Sequence, residues 1–509
     1  MLSENTRRIA KNTGMLYIRM LLIMGVTLYT SRVVLEVLGV EDYGIYNVVG
    51  GIVVMFSFLN GAMSQSTQRF LAYEIGKNDF QQLRKVFSLS LMIHAGIALL
   101  VLMIAETVGL WFLNTQMTIP EGRMEAARWV YQFSIFSFMV SVLQVPYNAA
   151  IIARERMHVY AYVSIAEVVL KLAVVFLLQW VAFDKLKLYG GLVFVVTVAV
   201  ALFYRLYCKR SFQECRFCFV WDRRLYRTLT GFAGWSMFGT VAWMCKSQGL
   251  NLILNVFWGP LLNAAYGIGH QVNTAINSFV QNFTTALNPQ IVKSYAIGER
   301  HYMEGLIFRG TKFSYCLLLV FALPLLMETE FVLSVWLKEV PEYAVVFTRL
   351  MIVNSLLESF TYVMGTSIQA TGKIRWYQII VGCTILLNLP LAWLLLKLGL
   401  EPFFILFVCV GLSCVTLLER LVIMRCLLGI SLWQFVRQVF GKAAEVTLLA
   451  SVVPVVLHMC LPDGWIKFSG VIFCSVVSVL ATVWGIGLTL GERDYCRQLV
   501  RNYLKRGNE

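Results

Sequence analysis

The sequence predicts an all-α polytopic membrane protein of about fourteen transmembrane helices. They form two six-helix lobes in a parallel pseudo-two-fold repeat, with two further helices at the C-terminal end. Composition is the first reason: 59% hydrophobic residues, 14% charged residues and a mean hydropathy of +0.71 leave more apolar surface than an aqueous fold can hide. The second is the succession of apolar segments, each of roughly 20 residues and able to cross ~30 Å of hydrocarbon. The third is an internal duplication. Tyr43-Gly44-Ile45 and Tyr73-Glu74-Ile75-Gly76 recur as Tyr266-Gly267-Ile268 and Tyr295-Ala296-Ile297-Gly298, offset by 223 and then 222 residues, and Gln68 falls on Gln290. Duplicated bundles are typical of transporters, which handle substrate between the halves.

The first lobe, residues 1–207, is expected to hold spans at 13–35, 44–66, 86–113, 129–151, 159–182 and 189–207. Met1 to Asn12 are polar and basic and no small-residue cleavage site follows, so span one reads as a retained helix with a cytoplasmic N-terminus. A basic cytoplasmic linker, 208–229, follows span six. The second lobe, 230–425, is expected to hold spans at 230–256, 264–289, 313–337, 345–369, 377–397 and 402–424. Residues 426–509 add spans at 442–461 and 467–490 and a basic cytoplasmic tail.

Alternating the loops from a cytoplasmic N-terminus places roughly 31 of the 43 Lys and Arg residues inside. The densest run is Lys209, Arg210, Arg216, Arg223, Arg224 and Arg227, and the tail adds Arg493, Arg497, Arg501, Lys505 and Arg506. The net charge of +15 follows from this topology, so anionic membrane lipids are the expected partners and nucleic acid is not. The twelve cysteines lie almost entirely in spans or cytoplasmic segments, which implies no disulfide framework. Cys208, Cys215 and Cys218 share the linker but lack a fourth ligand and the spacing of a zinc site.

No enzyme is indicated. The chain has no phosphate loop ending in GKS or GKT, no HExxH pair and no GxSxG elbow, and the longest external segment, 114–128, is only a linker. No resident cofactor is expected; direction would come from an H+ or Na+ gradient or from consumption of product outside.

Polar residues at membrane depth carry the site prediction, because each costs several kcal/mol unless it pairs or faces water. Span two places Ser57, Asn60, Ser64 and Gln68 on one helical face at intervals of three, four and four. Span eight repeats that spacing with His270, Asn273, Asn277 and Gln281. Span seven aligns Ser236, Thr240, Ser247 and Asn251, with Lys246 beside them. These faces suggest a hydrated cavity between the halves, although helix–helix hydrogen bonding explains such stripes equally well. Lys246 has no acidic residue within four positions, so it either handles an anion or meets a structural partner on another helix. Arg19, about six residues into span one, either joins it or snorkels to the surface. Glu167 with Lys171, and Arg32 with Glu36, have the acid–base spacing of local ion pairs. Glu358, Glu106 and His94 lack an evident local partner and are candidates for ion coupling.

The run Leu38 to Tyr46, LGVEDYGIY, resembles the signature of polysaccharide-exporting flippases, in the superfamily that also holds multidrug extruders and the lipid II flippase. Ala153-Arg154-Glu155-Arg156, its counterpart Ala370-Thr371-Gly372-Lys373, and Trp221-Asp222 opening a basic amphipathic stretch extend the likeness along the whole chain. The resemblance implies lobes related by an axis along the membrane normal, a central cavity lined by spans one, two, seven and eight, and alternating access. It implies a polyprenyl-pyrophosphate-linked oligosaccharide as substrate, moved from the cytoplasmic to the outer leaflet of a bacterial inner membrane for O-antigen or capsule. Lys246 and Arg19 would serve its pyrophosphate, and a glycan polymerase and glycosyltransferases would be partners. The alternatives are an ion-coupled small-molecule or drug extruder of the same fold, or a noncatalytic scaffold for glycan-assembly enzymes.

Overall fold

The computed structural model describes residues 2–489 and 492–493, apart from 55, 116–118, 120, 121, 182, 338 and 463. Tail residues Arg497, Arg501, Lys505 and Arg506 lie outside the described residues. Every described regular element is a helix. In chain order these are α1 (Leu2–Val54), α2 (Ser57–Lys77), α3 (Phe80–Thr115), α4 (Met124–Ala153), α5 (Met157–Leu178), α6 (Lys185–Ser211), α7 (Arg223–Trp258) and α8 (Pro260–Ala296). They continue with α9 (Arg300–Met327), α10 (Thr329–Trp336), α11 (Ala344–Ala370), α12 (Arg375–Lys397), α13 (Phe404–Leu428), α14 (Leu432–Cys460) and α15 (Trp465–Gly487).

Among the described residues, 11 helices are long and apolar enough to cross a membrane, and they carry expected spans one, three to six and nine to fourteen. Expected spans two, seven and eight fall on α1–α2, α7 and α8. Their polar stripes lower the hydropathy by which a span is recognised, although α7 and α8 run for 36 and 37 residues, ample length for a crossing. Span two differs from the expected uninterrupted 44–66. Helix α1 continues to Val54 through a non-helical Gly39, and α2 begins only after a turn at Phe56.

The chain divides into two compact units. One comprises residues 10–240. Its core packs Val49 of α1, Val101 of α3, Val130, Tyr131 and Ile135 of α4 and Leu186 of α6. Opposite ends of α4 carry ionic ties. At the start, Arg123 Nε donates to Asp42 Oδ1 at 2.8 Å and Nη1 to Asp184 Oδ2 at 3.0 Å, joining α1 just past its break at Gly39 to the connections before α4 and α6. Past the other end, Arg154 Nε donates to Glu214 Oε1 at 2.7 Å, fixing the linker that follows α6. Cys215, on that linker, is hydrogen-bonded to Cys208 and buried, which raises its thiol above the ordinary range and keeps it protonated.

The other unit comprises 241–509 with residues 1–9. Leu254, Ala265, Phe347, Met351, Ala392 and Ile405 form its core, drawn from α7, α8, α11, α12 and α13. Helices α14 and α15 pack on α9. Tyr315 and Thr447 hydroxyls lie 2.7 Å apart there, and buried Lys312 donates to Glu492 at 3.0 Å.

The duplication is visible in backbone conformation. Gly39 (φ 79°, ψ 167°) precedes Tyr43, and Gly259 (φ 76°, ψ −173°) precedes Tyr266. Both occupy a region essentially confined to glycine. The loops after α4 and α11 also match, with a left-handed residue third in each motif: Glu155 (φ 59°) and Gly372 (φ 76°).

Candidate functional site

The polar centre of the C-terminal unit lies between α7, α8, α11 and α13. Lys246 Nζ of α7 donates to Glu358 Oε1 of α11 at 3.2 Å, with side chains 13% and 26% exposed. The same carboxylate oxygen accepts from Asn354 Nδ2 at 3.0 Å, and Asn354 Oδ1 accepts from Ser413 Oγ of α13 at 2.7 Å. Cys409 and Arg420 of α13 and Tyr266 of α8 also bear on this pair electrostatically. Lys246 therefore has the partner on another helix that sequence left open, and Glu358 is that partner.

A second network runs beside it along α8 and α11. Asn277 Nδ2 donates to Asn273 Oδ1 at 3.0 Å and to Ser355 Oγ at 2.9 Å; Ser355 Oγ in turn donates to Asn273 Oδ1. Tyr362 OH donates to Asn277 Oδ1 at 3.3 Å, and Thr366 donates to Asn288 at 2.9 Å. The spacing in α8 thus places Asn273 and Asn277 against α11. Gln281 is exposed, while half-buried His270 receives Thr274 on its backbone carbonyl at 2.8 Å. Asn251 stands apart, accepting from Asn263 Nδ2 at 2.7 Å.

In the N-terminal unit the predicted residues do not converge on one cluster. The Arg19 guanidinium lies 4.4 Å from the Tyr160 ring centroid, a cation–π seat on α5, and its Nε has no hydrogen-bond partner. Gln68 Nε2 donates to Ser64 Oγ at 2.9 Å, Asn60 is half-buried, and the Ser57 side chain lies outside the described residues. His94 Nδ1 is 2.7 Å from the Ser90 carbonyl, and Glu106 accepts from Gln132 at 3.2 Å. Lys171 pairs with Glu167 at 2.7 Å as the spacing predicts. Arg32 and Glu36 do not pair; both are exposed, where an ion pair gains little over hydration.

Sequence reasoning missed Asn354, Ser355, Tyr362 and Ser413. The signal was present on span ten, where Ser355, Glu358, Tyr362 and Thr366 fall at helical spacing, but only Glu358 was charged enough to stand out.

These features define a polytopic helical membrane protein of two repeated units, with ion-paired and amide networks at membrane depth. The chain has the fold of MATE transporters. The MatE family model matches residues 241–394, and a search of curated proteins by sequence finds no match. An outward-facing multidrug resistance MATE family transporter of the MOP superfamily aligns with TM-score 0.72 at 14% identity, covering 83% of this chain and 96% of that one. A MOP superfamily transporter from Pyrococcus furiosus, described as having a binding pocket of reverse polarity that suggests a different function, aligns with TM-score 0.68 at 14% identity over 83% and 97%. The MATE transporter ClbM in complex with Rb+ gives 0.68 at 14% identity over 84% and 96%.

Proposed function

We propose that this protein is an alternating-access flippase that turns a polyprenyl-pyrophosphate-linked oligosaccharide from the cytoplasmic to the outer leaflet of a bacterial inner membrane. The observation that carries the reading is the Lys246–Glu358 pair, a cation held at membrane depth by one displaceable carboxylate. Unpaired charge in a low-dielectric medium costs tens of kcal/mol by idealised Born estimates, so a pyrophosphate needs a fixed cation and hydrogen-bond donors to cross while its tail stays in lipid. Lys246 supplies the cation, and the amides of Asn273 and Asn277 suit sugar hydroxyls.

A pyrophosphate that takes Lys246 displaces Glu358, which keeps its hydrogen bond from Asn354.

The test is translocation of a fluorescent polyprenyl-pyrophosphate oligosaccharide in proteoliposomes by the intact protein, Lys246→Ala, Lys246→Arg and Glu358→Gln. Movement lost in the alanine variant and kept in the arginine and Glu358→Gln variants supports the reading. No movement by folded intact protein under an ion gradient or a voltage sinks it. A second reading, an ion-coupled small-molecule extruder, is favoured by the multidrug transporter among the similar folds and by the partial exposure of Glu358, which would take H+ or a cationic substrate.

A further inference from the structure

We propose that residues 216–221, the strap between α6 and α7, seat on the anionic headgroups of the leaflet at the linker end of the bundle. The strap opens in extended conformation, with Phe212 at φ −129°, ψ 116° and Arg216 at φ −82°, ψ 113°. Extended backbone sends alternate side chains to opposite sides. Phe217, Phe219 and Trp221 are 52%, 73% and 59% exposed while Cys218 and Val220 between them are half-buried, so the three rings share the outer side.

The inner edge is pinned to α3, and Trp221 leans on the exposed Tyr226 of α7 with ring centroids 5.2 Å apart. Cys218 N donates to Ser88 Oγ at 3.1 Å and Arg84 Nε donates to the Arg216 carbonyl at 3.2 Å, both on α3. Glu214, just before the strap, is held by Arg154. Asp222 closes the far end by accepting from the Arg224 and Leu225 amides as the N-cap of α7.

Charge identifies the occupant. Lys209, Arg210, Arg216, Arg223, Arg224 and Arg227 flank the rings, all are exposed, and among the described residues none is in an ion pair. Aromatic rings settle at headgroup depth, and clustered cations draw anionic lipid by about fivefold in affinity per charge. A row of rings bracketed by unpaired cations, tethered between two helices long enough to span, meets both demands at once in an anionic leaflet. The proposal is independent of what the protein transports.

Hydroxyl-radical footprinting of the full chain in nanodiscs tests it, because oxidation of Phe217, Phe219 and Trp221 is read residue by residue. Adding phosphatidylglycerol to phosphatidylcholine should lower their oxidation several-fold and leave Trp180, on the connection at the other end of α6, unchanged. Arg223→Gln alone, too exposed to threaten folding, should lower phosphatidylglycerol retention in native mass spectrometry by about fivefold. Oxidation that is the same in both lipids, or retention unaffected by Arg223→Gln and by Arg227→Gln, overturns the proposal and leaves the row to a protein partner.

Discussion

Lys246 and Glu358 are 112 positions apart in the chain and form one ion pair, Nζ to Oε1 at 3.2 Å, between α7 and α11. Removing either partner leaves the other without its counter-charge at a largely buried position. Lys246→Met and Glu358→Leu should each cost about 3 kcal/mol, whereas the double variant should fall within about 1 kcal/mol of the parent. Thermal unfolding in detergent closes this cycle. Additive losses would show that the two charges do not depend on each other.

Gly39 interrupts α1 in a conformation that other residues reach only with strain. Gly39→Ala should lower stability by about 1–3 kcal/mol, and Gly259→Ala by a similar amount. Their melting temperatures are the check. An unchanged melting temperature for Gly39→Ala would mean that α1 is as content unbroken.

Arg123 spans two carboxylates, Asp42 and Asp184, and ties α1 just past Gly39 to the connections before α4 and α6. Arg123→Ala should cost about 1–2 kcal/mol, less in high salt, because it leaves two acids facing each other without a cation. Faster proteolysis near residues 180–184 is the expected sign, and an unaltered cleavage rate at low salt would dismiss the clamp.

Glu155 and Gly372 hold the same left-handed conformation in the two repeats, and only glycine does so without strain. Glu155→Gly should stabilise by up to about 1 kcal/mol, and Gly372→Glu should cost about that much. Unfolding of the two variants, compared with the parent, reads both signs.

Fold class, duplication and most spans were legible because composition and hydropathy are local properties of the chain, and lipid leaves helices few alternatives. The break at Gly39 was not, since glycine inside an apolar run reads equally as a packing residue. The stripes of α8 were legible as a face, and the face does carry Asn273 and Asn277. What lay opposite was not, because Ser355 and Tyr362 look like ordinary helix-interior polar residues until α11 packs against them.

By itself the sequence determined that this chain is a duplicated helical membrane protein with a cation buried in its seventh expected span. Tertiary structure decided whether that cation stands alone. Within one helix a charge can meet only neighbours three or four positions away, and Lys246 has none there. Packing of α7 beside α11 brought Glu358 to it, turning an apparently free charge into one half of an ion pair.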